Sequence, residues 1–204
     1  MSNIWEMTSK GIVESSSDEM KKKPGVWLLI GKENKKSKYI CLQVAQTINI
    51  GKEMRTDIEY LSKEEPKPDE KVSYINQFGE KQFEYDEYRS WRARNLYHQI
   101  AINYVDLSVV CMANNIEFDD KENREKVEKY IAYITESKYW VNGGPFRTDK
   151  PEIEIKNLKE AYKEECDKLV ECVEQILGKD KFKCVNLFLE KIMNGTLCDD
   201  DLRC

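Results

Sequence analysis

An arginine and the histidine that follows it by four residues are the first side chains of this sequence to consider for chemistry. Arg94 and His98 stand four residues apart in the stretch "RNLYH", so a helix would place both on one face. His98 is the single histidine of the chain, and a histidine so placed is a candidate general base. The alternative is a histidine on the helix surface whose hydrogen bonds are satisfied and which has no chemical role.

A lysine-rich stretch is a second candidate. Residues 21–38 contain seven lysines against Glu33 alone, although the formal net charge of the chain is -5. This acidity argues against nonspecific nucleic-acid binding over the whole surface, but it allows a local basic patch. The stretch predicts either a solvated turn or a phosphate-facing edge. The residues predicted to contact nucleic acid are Lys32, Lys35, Lys36, Lys38 and Arg55.

Cysteine usage argues against a zinc site. The seven cysteines include no CxxC pair and are accompanied by one histidine. Cys41 and Cys111 lie in apolar runs, which predicts buried, inert thiols. No signal peptide opens the sequence, and no apolar run approaches the roughly 20 residues of a membrane span. These features predict a cytoplasmic location with a reducing environment and no membrane partner.

Two apolar runs predict the hairpin that would carry the lysines. Residues 26–30 are continuously apolar, which favours a central strand, and residues 38–45 predict a second strand. Residues 49–61 have helical spacing. Residues 72–85 alternate and turn near Gly79, which predicts a second small hairpin.

The remaining patterns are helical. They run from Asp86 to about Met112, from near Asp120 to before Trp140, and through 152–178 and 181–194 with a break at Gly178. At 204 residues, with 40% hydrophobic and 35% charged residues, the chain can bury a core. The pattern predicts an α+β fold, with a small antiparallel sheet flanked by helices and a helical C-terminal third. The predicted organisation is a polar leader (1–24), an α/β domain (25–150) with an inserted hairpin at about 62–85, and a helical extension (151–204).

The order of strand, short turn, strand with a Tyr-Ile dipeptide, and helix resembles the GIY-YIG nuclease family. "GVW" (25–27) stands where the first tripeptide of that family would be, and "YIC" (39–41) is one choice for the second. The continuation "QTINIGKEMR" also resembles the family, and it would make "QVA" (43–45) the second tripeptide. The usual arginine then falls at Glu53, with Arg55 two residues further on.

The resemblance extends downstream. Some restriction enzymes of this family use an arginine and a histidine at the spacing of Arg94 and His98, and "VEKYIAYITESKYWVNGG" resembles the part where a helix glutamate precedes a Trp-Asn turn. In those enzymes the glutamate holds a divalent metal on the scissile phosphate, and the arginine neutralises the charge that develops during cleavage. The resemblance implies Glu128 as ligand of Mg²⁺ or Mn²⁺. It implies the catalytic set Trp27, Tyr39, Arg94, His98, Glu128 and Asn142.

The implied function is a divalent-metal-dependent endonuclease of restriction type that acts on duplex DNA. Trp27 replaces a tyrosine, and Cys41 or Ala45 replaces a glycine, so a catalytically weakened module that binds nucleic acid or a protein partner is the alternative. A third hypothesis is an unrelated helical interaction protein. The simpler interpretation makes Trp27 and Tyr39 core aromatics and Glu128 part of a solvated helix face.

Overall fold

The structure is a computed structural model, and it describes residues 4–8, 10–14, 22–53, 61, 73–75, 81–83, 96–113, 115–140 and 163–202. The strands in these ranges are β1 Ile4–Thr8, β2 Gly11–Glu14, β3 Gly25–Lys32, β4 Ile40–Thr47, β5 Ser73–Ile75, β6 Lys81–Phe83 and β7 Val105–Met112. The helical segments are α1 (50–53), α2 (96–103), α3 Lys121–Thr135, α4 Lys163–Leu177 and α5 Lys179–Asn194. Short 3₁₀ turns cover Ile116–Asp119 and Asp199–Leu202.

The main sheet is built around β3. Its strand order is β2-β1-β7-β3-β4, and β3 pairs antiparallel with both β7 and β4. The predicted hairpin of a central strand with its neighbour is therefore confirmed, as is the α+β class. The sheet is mixed rather than purely antiparallel, because β1 lies parallel to β7. No short turn constrains the direction of these two strands, which are far apart in the sequence.

The side chains of β3 alternate between two covered faces. Val26, Leu28 and Ile30 pack with residues of α3, α4 and α5 on one face, which we call the α3 face. Trp27 and Leu29 pack with residues of α1 and α2 on the other, which we call the α2 face. A strand covered on both sides needs apolar residues at every position, which explains the unbroken apolar run.

The predicted helices after β7 are confirmed where the structure describes them. α3 begins after Asp120, whose side chain accepts a hydrogen bond of 2.8 Å from the backbone N–H of Glu122. α4 and α5 meet at Gly178, whose φ of 76° and ψ of 152° suit glycine and few other residues. Both helices, predicted as part of a C-terminal extension, contribute to the same buried cluster as α3 and the sheet.

Two predictions made from the sequence are wrong. The helix predicted to run to about Met112 ends at residue 103, and residues 105–112 form strand β7. A short apolar run such as "VDLSVVCM" fits a buried strand and a helix equally well by periodicity, and its valines favour the strand. The predicted polar leader contains β1 and β2, since Trp5 and Met7, exposed by 6% and 1%, anchor β1 in the core.

Two further predictions concern short elements. The small hairpin predicted at 72–85 is confirmed by the antiparallel pair β5–β6. The helix predicted at 49–61 is present at residues 50–53, and residues 54–60 lie outside the described part of the chain. None of the helices within the described ranges has the length and apolarity required to span a bilayer.

The end of α3 generates a stability prediction. Glu136 follows the helix with φ 49° and ψ 47°, a left-handed conformation that costs a non-glycine residue about 1–2 kcal/mol. Glu136→Gly should raise the free energy of unfolding by about 0.5–1 kcal/mol and the Tm by about 2 °C in calorimetry. The matched control is Lys126→Gly within α3, which should lower the free energy of unfolding by about 1 kcal/mol. Equal losses from both changes would contradict the left-handed assignment.

Candidate carboxylate site at the sheet edge

The first half of the site joins Trp27 of β3 to Glu53 of α1. The side chain of Asn49 caps α1 by accepting a hydrogen bond of 2.9 Å from the backbone N–H of Lys52, and Ile50 is completely buried in the core. The helix is thereby fixed with Glu53 beside the sheet. The indole Nε1–H of Trp27 donates to Oε1 of Glu53 at 3.1 Å, so the carboxylate is held in a defined orientation.

The second half joins Glu128 of α3 to Trp140. The indole Nε1–H of Trp140 donates to Oε1 of Glu128 at 2.8 Å. The ring of Trp140 packs edge-on against Tyr133, with ring centroids 5.5 Å apart. Glu128 is half-buried, so the interpretation of this residue as part of a solvated helix face is wrong.

The turn that carries Trp140 is attached to the open edge of β4. The backbone N–H of Lys138 donates to the carbonyl of Cys41 at 3.1 Å, and that of Tyr139 donates to the carbonyl of Leu42 at 2.8 Å. These hydrogen bonds give partners to two backbone carbonyls of β4, an edge strand whose outer backbone groups would otherwise be exposed. They also place Trp140 where its indole reaches Glu128.

The two carboxylates are electrostatically coupled. Burial raises the pKa of Glu128 to about 7, the hydrogen bond from Trp140 opposes this, and the charges of Glu125 and Glu53 add to it. Burial also raises the pKa of Glu53, against hydrogen bonds from Thr47 and Trp27. α1 and α3 cover opposite faces of the sheet, so Glu53 and Glu128 lie on either side of β4, the edge strand.

A buried arginine holds the beginning of α3 against the same strand. Arg124 is 3% exposed, and its Nε–H donates to Oε1 of Gln46 at 2.8 Å. Its Nη1 donates to the backbone carbonyls of Phe118 and Asp119. Sequence reasoning missed Arg124. Its position four residues before Glu128, on the same helix face, was the available signal.

Strand register distinguishes the two alternative tripeptides. Trp27 lies opposite Ala45, and Leu29, on the same face as Trp27, lies opposite Gln43. "QVA" (43–45) and "GVW" therefore meet at a single pair, Trp27 with Ala45, whereas Ile40 of "YIC" lies opposite Gly31. Gln43 is 4% exposed, and its Oε1 accepts no hydrogen bond from the described residues.

Among the other predicted site residues, Tyr39 lies away from this point. Tyr39 is level with Lys32 of β3, which is five residues beyond Trp27. This separation corresponds to about 16 Å along the strand. Tyr39 also belongs to the cluster on the α3 face, whereas Trp27 belongs to the α2 face. His98 lies in α2 and is 8% exposed. The predicted residues Arg55, Arg94 and Asn142 lie outside the described ranges.

The predicted nucleic-acid contacts divide into two groups. Lys35, Lys36 and Lys38 are exposed on the turn between β3 and β4. The ammonium Nζ of Lys32 forms ion pairs with the carboxylates of Asp106 and Asp199, at N–O distances of 3.4 and 3.0 Å. The lysine-rich turn therefore offers exposed cations, while its first lysine has acidic partners within the protein.

The chemistry open to this site is that of paired carboxylates. Within the described ranges, no group of three or more His, Cys, Asp or Glu side chains is placed to hold a metal ion. Glu53 and Glu128 are two oxygen donors of the kind that Mg²⁺ prefers, and water and substrate phosphate would have to complete its shell. The donor type fits such an ion, because a cation would offset the repulsion between the two carboxylates.

Comparisons with known proteins supply no family for this chain. The sequence matches no protein-family model, and neither the curated proteins nor the solved structures include a significant match. Any function must therefore be argued from the site and from the resemblance of its motifs.

The raised pKa of Glu128 predicts a pH-dependent stability. A carboxyl whose pKa rises from 4.5 to about 7 on folding binds its proton more tightly in the native state. Its stabilising contribution is complete below about pH 4.5 and is lost as the pH rises through about 7. Relative to Glu128→Gln, the wild-type protein should lose on the order of 2–3 kcal/mol between pH 4.5 and 8 in urea unfolding. Glu122→Gln, an exposed change on the same helix, should track the wild type. A wild-type curve parallel to that of Glu128→Gln would refute the shift.

Proposed function

We propose that this chain is a divalent-metal-dependent DNA endonuclease of restriction type on a GIY-YIG-like scaffold, with Glu128 and Glu53 as the metal ligands. The observation that carries the proposal is a pair of half-buried carboxylates on separate helices, each oriented by a tryptophan indole. Burial is the main cause of the raised pKa of both, and the charge of Glu53 adds to that of Glu128. Like charges held together at this depth are unfavourable without a cation. Perturbed carboxyls of this kind also concentrate at functional sites.

Each residue of the site has a role in this proposal. The indoles of Trp27 and Trp140 orient one oxygen of each carboxylate by hydrogen bonding. Glu53 and Glu128 hold Mg²⁺ or Mn²⁺, which when bound would neutralise phosphate charge and acidify a water molecule. From the resemblance, we retain Arg94 as the cation facing the phosphate and Asn142 as an orienting amide.

The neighbourhood of Trp27 supports the scaffold assignment. "GVW" and "QVA" lie on adjacent antiparallel strands and meet at the pair Trp27–Ala45, a helix follows the second strand, and the glutamate is on a later helix. These are the relations that the resemblance implies. Glu53 occupies the position of the usual arginine, so in this chain that position would contribute a second metal ligand rather than a positive charge.

A second candidate function is favoured by a specific observation. Trp27 has no hydroxyl group, and Tyr39 is about 16 Å further along the sheet, so neither of the two aromatic residues implied by the resemblance places a phenol beside Glu53. This favours a catalytically weakened module that binds duplex DNA or a protein partner. The exposed lysines of the β3–β4 turn would supply its phosphate contacts. A cytoplasmic location belongs to both proposals.

Cleavage of supercoiled duplex DNA tests the first proposal. With Mg²⁺ or Mn²⁺, wild-type protein should nick the substrate, and Glu128→Gln should reduce the rate by at least about 100-fold, because charge stabilisation of the transition state is lost. Glu53→Gln should reduce it by roughly tenfold or more. Chelation of the metal by EDTA should abolish nicking by the wild type.

The control for this experiment is Glu122→Gln, which removes one exposed carboxylate from the same helix. It should nick at the wild-type rate. If all three variants match the wild type, the carboxylate pair is not the metal site. If no protein nicks DNA but the wild type binds it, the weakened module is the better description.

Binding without cleavage generates a separate prediction. Replacing Lys35, Lys36 and Lys38 together with alanine should weaken duplex binding in EDTA, and the slope of log K against log salt should fall by up to about 3, or about one per lost phosphate contact. Fluorescence anisotropy with a labelled duplex measures both quantities. The charge-matched control replaces the exposed Lys163, Lys168 and Lys183 of α4 and α5. Equal losses from the two triple variants would exclude the turn as a specific contact surface.

A further inference from the structure

Two hydrogen-bond donors converge on one carboxylate oxygen at the opposite end of β3. The ammonium Nζ of Lys32 and the hydroxyl of Tyr39 both donate to Oδ1 of Asp199, at 3.0 and 2.8 Å. The ammonium also lies 4.2 Å from the centre of the Tyr39 ring, a cation–π arrangement. A positive charge and a neutral donor aimed at one oxygen form an arrangement suited to any singly bonded anionic oxygen, including that of a phosphate.

The donors are fixed more firmly than the acceptor. Lys32 ends β3 and Tyr39 directly precedes β4, so both are held by the hairpin. Tyr39 is 3% exposed and the side chain of Lys32 is 13% exposed, whereas that of Asp199 is 51% exposed. The acceptor belongs to a 3₁₀ turn of four residues near the C-terminus. An exposed acceptor on a short turn is easier to displace than the donors it meets.

Both donors remain protonated at neutral pH. Desolvation, the largest single influence on Lys32, lowers its pKa, but the hydrogen bonds to Asp199 and Asp106 and the nearby negative charges outweigh it and leave the pKa raised. Burial and the hydrogen bond to Asp199 raise the pKa of Tyr39 to about 12. The pair therefore presents an ammonium and a hydroxyl to whatever anion occupies it.

The segment that carries Asp199 is also anchored by neighbouring residues. Leu197 and Leu202, on either side of it, are 6% and 4% exposed and pack in the core. Lys191 forms an ion pair with Asp201. Oδ2 of Asp106, a residue of β7, lies 3.4 Å from the ammonium Nζ of Lys32. This ion pair would hold the ammonium in place after Asp199 has moved.

We propose that Lys32 and Tyr39 form a phosphate-binding site for the backbone of duplex DNA, and that Asp199 occupies it as an intramolecular competitor. Lys35, Lys36 and Lys38, exposed on the same turn, extend the site along the backbone. The proposal rests on the DNA binding of the proposed function but requires neither metal nor cleavage. DNA must displace one carboxylate to gain one phosphate contact, so the competitor lowers affinity without altering the donors.

Anisotropy with a labelled duplex in EDTA tests the competition. Asp199→Asn weakens the competing acceptor, so it should tighten binding several-fold at about 50 mM salt and should steepen the slope of log K against log salt by about 0.9. Asp199→Glu retains the carboxylate and should remain near the wild type. Asp167→Asn, an exposed change on α4 with the same change of net charge, controls for general electrostatics. The Tm of every variant verifies folding.

A second variant makes the result specific to the donors. Adding Lys32→Met or Tyr39→Phe to Asp199→Asn should remove the gain in affinity. The proposal is overturned if Asp199→Asn binds no more tightly than Asp167→Asn, or if it does not bind at all. It is also overturned if the gain in affinity persists in both of these double variants, the one that lacks the Lys32 ammonium and the one that lacks the Tyr39 hydroxyl. Because no metal is present, a failure here is distinct from failure of the nicking assay.

Discussion

The fold depends on the complete burial of β3. Val26–Ile30 are each exposed by 1% or less, and the strand is hydrogen-bonded on both sides and covered by helices on both faces. Such a strand contributes most of its free energy by removing apolar surface from water, and it tolerates little change in position. Two of the polar arrangements described above lie at its ends. Trp27 lies near one end and Lys32 at the other, so the strand fixes both the identity of the sites and their separation.

Much of the fold could be predicted because its elements have local causes. The apolar run 26–30, the caps of α3 and the glycine between α4 and α5 each act within a few residues of the element they define. The failures involve long-range partners. Residues 105–112 become a strand because they lie between β1 and β3, and a short apolar run contains no information about such neighbours. Trp5 and Met7 are likewise buried only because a sheet formed by later residues receives them.

The site was less predictable than the fold. Glu128 could be proposed from the resemblance, but its charged neighbours in the sequence indicated exposure, and its burial depends on Trp140 and on a turn bonded to β4. From the sequence, Glu53 was identified only as the residue at the position where the resemblance to the GIY-YIG family implies an arginine. The register of β3 with β4 places Ala45 of "QVA", and not "YIC", next to Trp27. The two alternatives differ by four residues, an even shift that keeps the alternation of side chains in phase, so the pattern alone could not decide between them.

The two ends of β3 use acidic groups in opposite ways. At one end, Glu53 and Glu128 accept hydrogen bonds from neutral indoles, and burial raises the pKa of both, with a further contribution from the charge of Glu53 to that of Glu128. That arrangement has a deficit of positive charge, which an external cation can correct. At the other end, Asp199 accepts hydrogen bonds from Lys32 and Tyr39, and the ammonium of Lys32 also pairs with Asp106. There an external anion must exchange with an internal one. A polyanion that contributes a phosphate to each end would replace a carboxylate at the Lys32 end and complete a cation's shell at the Glu128 end. The acidic net charge of the chain is therefore compatible with a nucleic-acid partner, because the acids at both ends are those that binding would neutralise or displace.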